Sequence, residues 1–194
     1  MKAILKNNFN LTGVTLVELL VSIVVVVIIT GVLFGILFGM LNISDLGSEG
    51  SKLQQQAREA MRFMITELKS SNKDKIILST GPYSPTISFY LPQDIDGDGT
   101  IINSTTGNIE WNPNLYTYDK QISSFGIGQL VRSGGGEPNR ILASYVDSIL
   151  FANHDIDSNL TLDELRIILK VKKNIARSQR PVEFQLDGIV RLRN

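Results

Sequence analysis

With 194 residues, no cysteine, and 19 basic against 19 acidic side chains, the chain has length for one domain plus an anchor, and its zero net charge argues against general affinity for nucleic acid. The lack of cysteine excludes disulfides, thiolate metal centres and a lipid-modified cysteine anchor. Charge is nonetheless uneven, with residues 94–164 mostly acidic and residues 166–193 mostly basic.

The first element is an apolar run from Leu19 to Leu41, where only Ser22 and Thr30 carry polar side chains. As a helix it covers about 34 Å, enough to cross the hydrocarbon core of a bilayer. Lys2 and Lys6 precede it, and the next basic residue is Lys52. That asymmetry predicts a cytoplasmic N-terminus, with residues 42–194 outside. The run is long for a secretory signal peptide, and Phe38-Gly39-Met40-Leu41-Asn42 is not a small-x-small cleavage site. A plain signal anchor leaves Glu18 unexplained, because a carboxylate at the edge of lipid is costly and usually has a specific partner.

The segment Leu11-Thr12-Gly13-Val14-Thr15-Leu16-Val17-Glu18-Leu19-Leu20-Val21 resembles the prepilin signature of type IV pilins and type II secretion pseudopilins. The resemblance implies that an inner-membrane prepilin peptidase cuts after Gly13 and methylates the new amine at Val14, which stands where Phe is usual. Glu18 becomes the fifth mature residue. Its carboxylate is then expected to meet the terminal ammonium of a neighbouring subunit, a pair that sets axial register more than it adds net stability. The implied partners are the peptidase, other pilins or pseudopilins through the N-terminal helix, the inner-membrane assembly platform and, before assembly, membrane lipid. The implied location is the cytoplasmic membrane, single-pass, and then a pilus or pseudopilus.

Asn42–Gly50 carries Ser44, Asp45, Gly47, Ser48 and Gly50 and is expected to weaken the helix locally. From Lys52 to Ser70 a helical period returns, with Leu53, Ala57, Ala60, Met61, Met64, Ile65 and Leu68 on one face. Glu67 falls largely off that face. Strand-type runs follow at Lys75–Leu78, Thr86–Leu91, Asn108–Trp111, Leu115–Tyr118, Gly128–Arg132, Ser148–Ala152, Glu164–Lys172 and Val182–Leu192. Ile141–Val146 is read as a helical turn. Turns are expected at Gly81-Pro82, Gly97-Asp98-Gly99, Gly134-Gly135-Gly136 and Arg180-Pro181. The layout is a leader over 1–13, a membrane and polymerisation helix over 14–41, an amphipathic helix over 42–71 and a β-rich extracytoplasmic domain over 72–194. The fold class is α+β, a long N-terminal helix on a mainly antiparallel sheet.

The order Ile87-Ser88-Phe89-Tyr90, an Asp/Gly loop, Gln129-Leu130-Val131-Arg132, Ala143–Phe151 and Arg166-Ile167-Ile168-Leu169 loosely resembles W-type minor pilins and J-type pseudopilins. It implies a minor structural subunit, with a J-type pseudopilin of type II secretion as the alternative. A third reading is a membrane-anchored calcium- or ligand-binding module that never polymerises.

Asp94, Asp96 and Asp98, with Gly99 and the carbonyl of Thr100 next, match the opening of a calcium loop, where hard oxygens fill positions one, three, five and seven. Thr105 stands where a bidentate Glu is needed, so Glu110 folding back is the expected remaining ligand. An Asp/Gly-rich strand connection explains the same residues without an ion. Asp155-Ile156-Asp157-Ser158-Asn159 repeats the spacing with Leu160 in place of the glycine, and reads as a solvated loop. His154, the single histidine, reads as polar surface beside Asp155. No nucleophile, phosphate-loop or metalloprotease motif occurs, so an enzyme is not expected and no cofactor is required, Ca²⁺ being the one candidate ion. Lys170, Lys172, Lys173, Arg177, Arg180, Arg191 and Arg193 make a basic tail with almost no aromatics, which reads as a solvated face rather than a nucleic-acid site.

Overall fold

A computed structural model describes residues 15–79, 84–175 and 181–193, with the backbone alone at residues 42–46. The leader, including Lys2 and Lys6, and the turn residues Gly81, Pro82 and Arg180 lie outside the described residues. Helix α1 spans Leu16–Ser70, and the chain divides into two compact units between Asp45 and Leu46.

In the first unit, Leu16–Leu41 is a 26-residue helical stretch of mean hydropathy 3.1, with every side chain exposed. It is the one helix among the described residues long and apolar enough to cross a membrane. The two polar breaks are satisfied within the helix. Ser22 Oγ donates to the Glu18 carbonyl and Thr30 Oγ1 to the Val26 carbonyl, each at 2.7 Å, so neither would bring an unpaired group into a bilayer.

Among its described residues the second unit contains the rest of α1, a 3₁₀ turn (Lys73–Lys75) and eight strands: β1 (Ile76–Leu78), β2 (Ile87–Phe89), β3 (Tyr116–Ile122), β4 (Gly128–Gly134), β5 (Arg140–Ser144), β6 (Val146–Ala152), β7 (Glu164–Lys173) and β8 (Val182–Arg191). They form a five-stranded sheet in the order β1-β2-β3-β4-β5 and a three-stranded sheet β6-β7-β8. Every pairing is antiparallel. The chain passes from one sheet to the other through Tyr145 alone, at φ 61°.

The stripe expected of the helix faces this sheet assembly. Leu53, Ala57, Ala60, Met61, Met64 and Leu68 are buried in one cluster with Phe89, Tyr118 and Leu130 of the larger sheet and Ile149, Ile167 and Leu169 of the smaller, and Ile65 packs against its edge. Side chains such as Met64 and Leu68 each contribute roughly 2 kcal/mol by leaving water. Gly188 lets β8 come close to the helix: a Cβ there would lie 3.3 Å from both Ile65 Cδ1 and Met61 Sδ. The architecture is therefore α+β, a long helix packed through its amphipathic half on antiparallel sheet.

The helix continues through Asn42–Gly50, where buried Gly50 faces Val182 and Phe184 of β8. Two local expectations are corrected. Ile141–Val146 forms most of β5 and the Tyr145 corner instead of a helical turn, because β4 supplies a pairing edge at Ile141 and Ala143. Asn108–Trp111 makes only isolated bridges, Ile109 to Ile102 and Trp111 to Pro92, since its residues close a long loop rather than extend a sheet.

Candidate functional site

Two places gather the residues singled out by sequence. The first is the start of α1; Gly13 and Val14 lie outside the described residues. Thr15 caps the helix: its Oγ1 accepts from the Glu18 N–H at 3.2 Å and its carbonyl from the Leu19 N–H at 3.1 Å. Glu18 therefore occupies the third helical position of a Thr-x-x-Glu capping sequence, where a carboxylate also favours the positive end of the helix dipole. Thr15 was missed from sequence although its spacing to Glu18 was readable. The Glu18 side chain is exposed.

The second is the Asp94–Thr100 loop. One carboxylate oxygen from each of Asp94, Asp96 and Asp98 lies within 4.8 Å of the others. Gly97 and Gly99, at φ 78° and 85°, give the loop its reversals. Asp94 accepts from the Gly97 and Gly99 N–H groups at 2.7 and 2.9 Å, Asp96 from Asp98 N–H at 3.2 Å, and Asp98 from Thr100 N–H at 2.8 Å. The Thr100 hydroxyl donates within the loop to Asp98 at 2.9 Å or to the Ile102 carbonyl at 2.8 Å.

Glu110 does fold back onto this loop, but it stands outside the three-carboxylate group. Its Oε2 accepts from the Ile95 and Asp96 N–H groups at 2.6 and 3.4 Å, and its Oε1 from Asn103 Nδ2 at 2.9 Å. These donors, the Ile95 N–H first, hold its carboxyl below the usual carboxylate range against the opposing effect of burial. Asp96 moves the other way. The Asp98 N–H stabilises its charge, but burial and the carboxylates of Asp98, Glu110 and Asp94 together raise it. Oxygen donors clustered with mutual repulsion are the chemistry a hard divalent cation such as Ca²⁺ relieves, and Asp94, Asp96 and Asp98 are the residues that would hold it.

The remaining candidates take structural positions. Asp157 is not solvated: it is 7% exposed, accepts from Asn159 N–H at 3.1 Å and pairs with Arg166 Nη1 at 2.9 Å. His154 is half-buried, its Nδ1–H donating to the Leu160 carbonyl. In the basic tail, Lys170 meets Glu183 at 2.8 Å, Arg191 meets Asp163 at 2.7 Å, and Lys173 meets Glu49. Arg177 and Arg180 lie outside the described residues. A groove of about 290 Å³ between the 3₁₀ turn and the β6–β7 loop is walled by Ile76, Leu78, Leu162 and Leu192, with Lys73 and His154 at its polar side.

Sequence also missed a polar cluster in which buried Tyr118 and Arg132 meet Glu67, with exposed Glu137 on the outer side of Arg132. Set against protein-family models, curated proteins and solved structures, the chain finds no match.

Proposed function

We propose that the chain is a structural subunit, a minor pilin or pseudopilin, cut after Gly13, N-methylated at Val14 and assembled into a type IV pilus or related filament. Before assembly it resides in the cytoplasmic membrane, N-terminus inside and β-rich unit outside. Its role is architectural rather than enzymatic. The observation that carries this reading is Glu18 in the first turn of an exposed 26-residue apolar helix, directly after a basic leader ending in glycine. The amphipathic continuation of that helix on antiparallel sheet supports it, since such a subunit needs one element that is lipid-soluble at one end and sheet-bound at the other. A J-type role in type II secretion shares every one of these features, and neighbouring genes separate the two. The grouped Asp94, Asp96 and Asp98 favour calcium as an ion the subunit takes up outside the cell, and they equally suit an anchored calcium-binding module that never polymerises.

Capping and register make opposite demands on Glu18. Gln fills a capping box as well as Glu does, but carries no charge for a neighbour's ammonium. Glu18→Gln should therefore insert and be processed like wild type, yet be lost from sheared filaments and from cross-links to other pilins. Incorporation at the wild-type level would contradict the assembly role.

A further inference from the structure

The two most exposed large apolar side chains of the second unit, among the described residues, lie three apart on one turn: Ile122 at 73% and Phe125 at 87% exposed. The turn joining β3 to β4 is well built. Ser123 N–H donates to the Ile127 carbonyl at 2.9 Å, Gly126 N–H to the Ser123 carbonyl at 2.9 Å, and Ile127 N–H to Ser123 Oγ at 3.2 Å. Gly126 supplies the positive φ of 74°. An ordered turn thus holds an aromatic ring in water, which costs free energy unless something apolar receives it.

The turn sits at the end of the unit where the chain enters. Tyr118, early in β3, reaches Glu67 near the end of α1, whereas Lys120 donates to the Asp147 carbonyl beside the Tyr145 corner. Tyr145 in turn stacks with Lys173, which pairs with Glu49 at the start of this unit's helix. Lys120 and Lys172 line one hollow with Gly126, Ile127 and Asp147, and across Tyr145 a second hollow carries Lys52 and Lys173 with Glu49, so lysines outnumber carboxylates in both.

We propose that the β3–β4 turn is a membrane-surface contact, Phe125 and Ile122 entering the headgroup boundary and the nearby lysines facing anionic lipid. Aromatic and aliphatic tips with lysines to one side suit that interface. The proposal rests on anchoring by Leu16–Leu41, not on polymerisation.

The test uses the full chain in liposomes of mixed zwitterionic and anionic lipid. Because the chain has no cysteine, single variants take one environment-sensitive fluorophore each: S124C on the turn, S104C on the exposed loop before Glu110, and T30C inside the span. Lipids brominated near the headgroup should quench S124C but not S104C, and the quenching should be lost when Ile122→Ser and Phe125→Ser are added. If T30C is quenched by bromine deep in the acyl chains while S124C stays open to aqueous iodide, the proposal is wrong although anchoring holds. If S124C is shielded from iodide without bromolipid quenching, a protein covers the turn and the lipid assignment is overturned. If T30C is not quenched, the anchoring itself fails and takes the proposal with it.

Discussion

Arg132 of β4 grips Glu67 of α1 through two contacts of 3.0 Å, Nε to one carboxylate oxygen and Nη2 to the other. Both side chains are largely withdrawn from water, at 7% and 16% exposure. Tyr118 also donates to Glu67, Glu137 takes Arg132 Nη1 at 2.7 Å, and the guanidinium lies 4.4 Å from the centre of the Tyr116 ring. Burial works against the Arg132 charge, but Glu67 and Glu137 outweigh it and hold the group protonated above its ordinary range. Burial, reinforced by Glu67, pushes the Tyr118 hydroxyl well above its ordinary value.

This clasp ties the amphipathic helix to the larger sheet, and removing Glu67 leaves Arg132 with Glu137 alone. Glu67→Ala should destabilise the unit by about 1–3 kcal/mol, the cost of charged hydrogen bonds lost from Arg132 and Tyr118, because Glu137 still pairs with Arg132. Arg132→Lys should cost less, because it keeps the charge and loses the forked geometry. Denaturant unfolding of the full chain in detergent measures both. A Glu67→Ala midpoint equal to wild type would show the clasp to be incidental.

Much of this architecture was legible in the sequence. The stripe from Leu53 to Leu68 announced a buried helix face because only the core demands a 3.6-residue period there. The alternation in Leu165, Ile167, Leu169 and Val171 marked β7 for the matching reason. Glu67 was not legible as buried. Its partner Arg132 lies 65 residues away, and no local pattern encodes that meeting. The β5 strand failed similarly, since Ile141–Val146 reads equally as helix or strand until β4 offers an edge. At the site, Asp94, Asp96 and Asp98 were legible as a group from spacing alone. That Glu110 would hold the loop's N–H groups was not, because backbone donors leave no trace in side-chain spacing.

Acid stability should depend on Asp163. Arg191 first, then the Thr161 hydroxyl, lowers its carboxyl from 3.8 to about 2. A group depressed in the folded state contributes stability that is fully present above its unfolded value and is lost as pH falls through its folded one. The difference in unfolding midpoint between wild type and Asp163→Asn should thus be constant above about pH 5 and shrink between pH 4 and pH 2. A difference unchanged down to pH 2 would contradict the pairing.

Calcium should raise the thermal midpoint of the full chain, with a dissociation constant on the order of 0.1–1 mM, as in extracellular calcium modules. Asp96→Asn should abolish the shift, because Asp96 is the carboxylate raised by its neighbours. No calcium-dependent shift in wild type would leave the segment as a self-closed turn.

Glu110→Gln separates the ligand role from the anchoring role. As an anchor of the Ile95 and Asp96 N–H groups, Glu110 matters without any ion. Hydrogen exchange at the Ile95 amide should accelerate in Glu110→Gln even with chelator present. Exchange that differs from wild type only in calcium would make Glu110 a ligand instead.

The central claim is a filament subunit made by leader removal, and the mature N-terminus tests it most directly. Mass spectrometry of the protein extracted from membranes of a host with prepilin peptidase should find a chain beginning at Val14 with a methylated α-amine. A chain beginning at Met1, or one cut beyond the apolar span after residue 39, would contradict it.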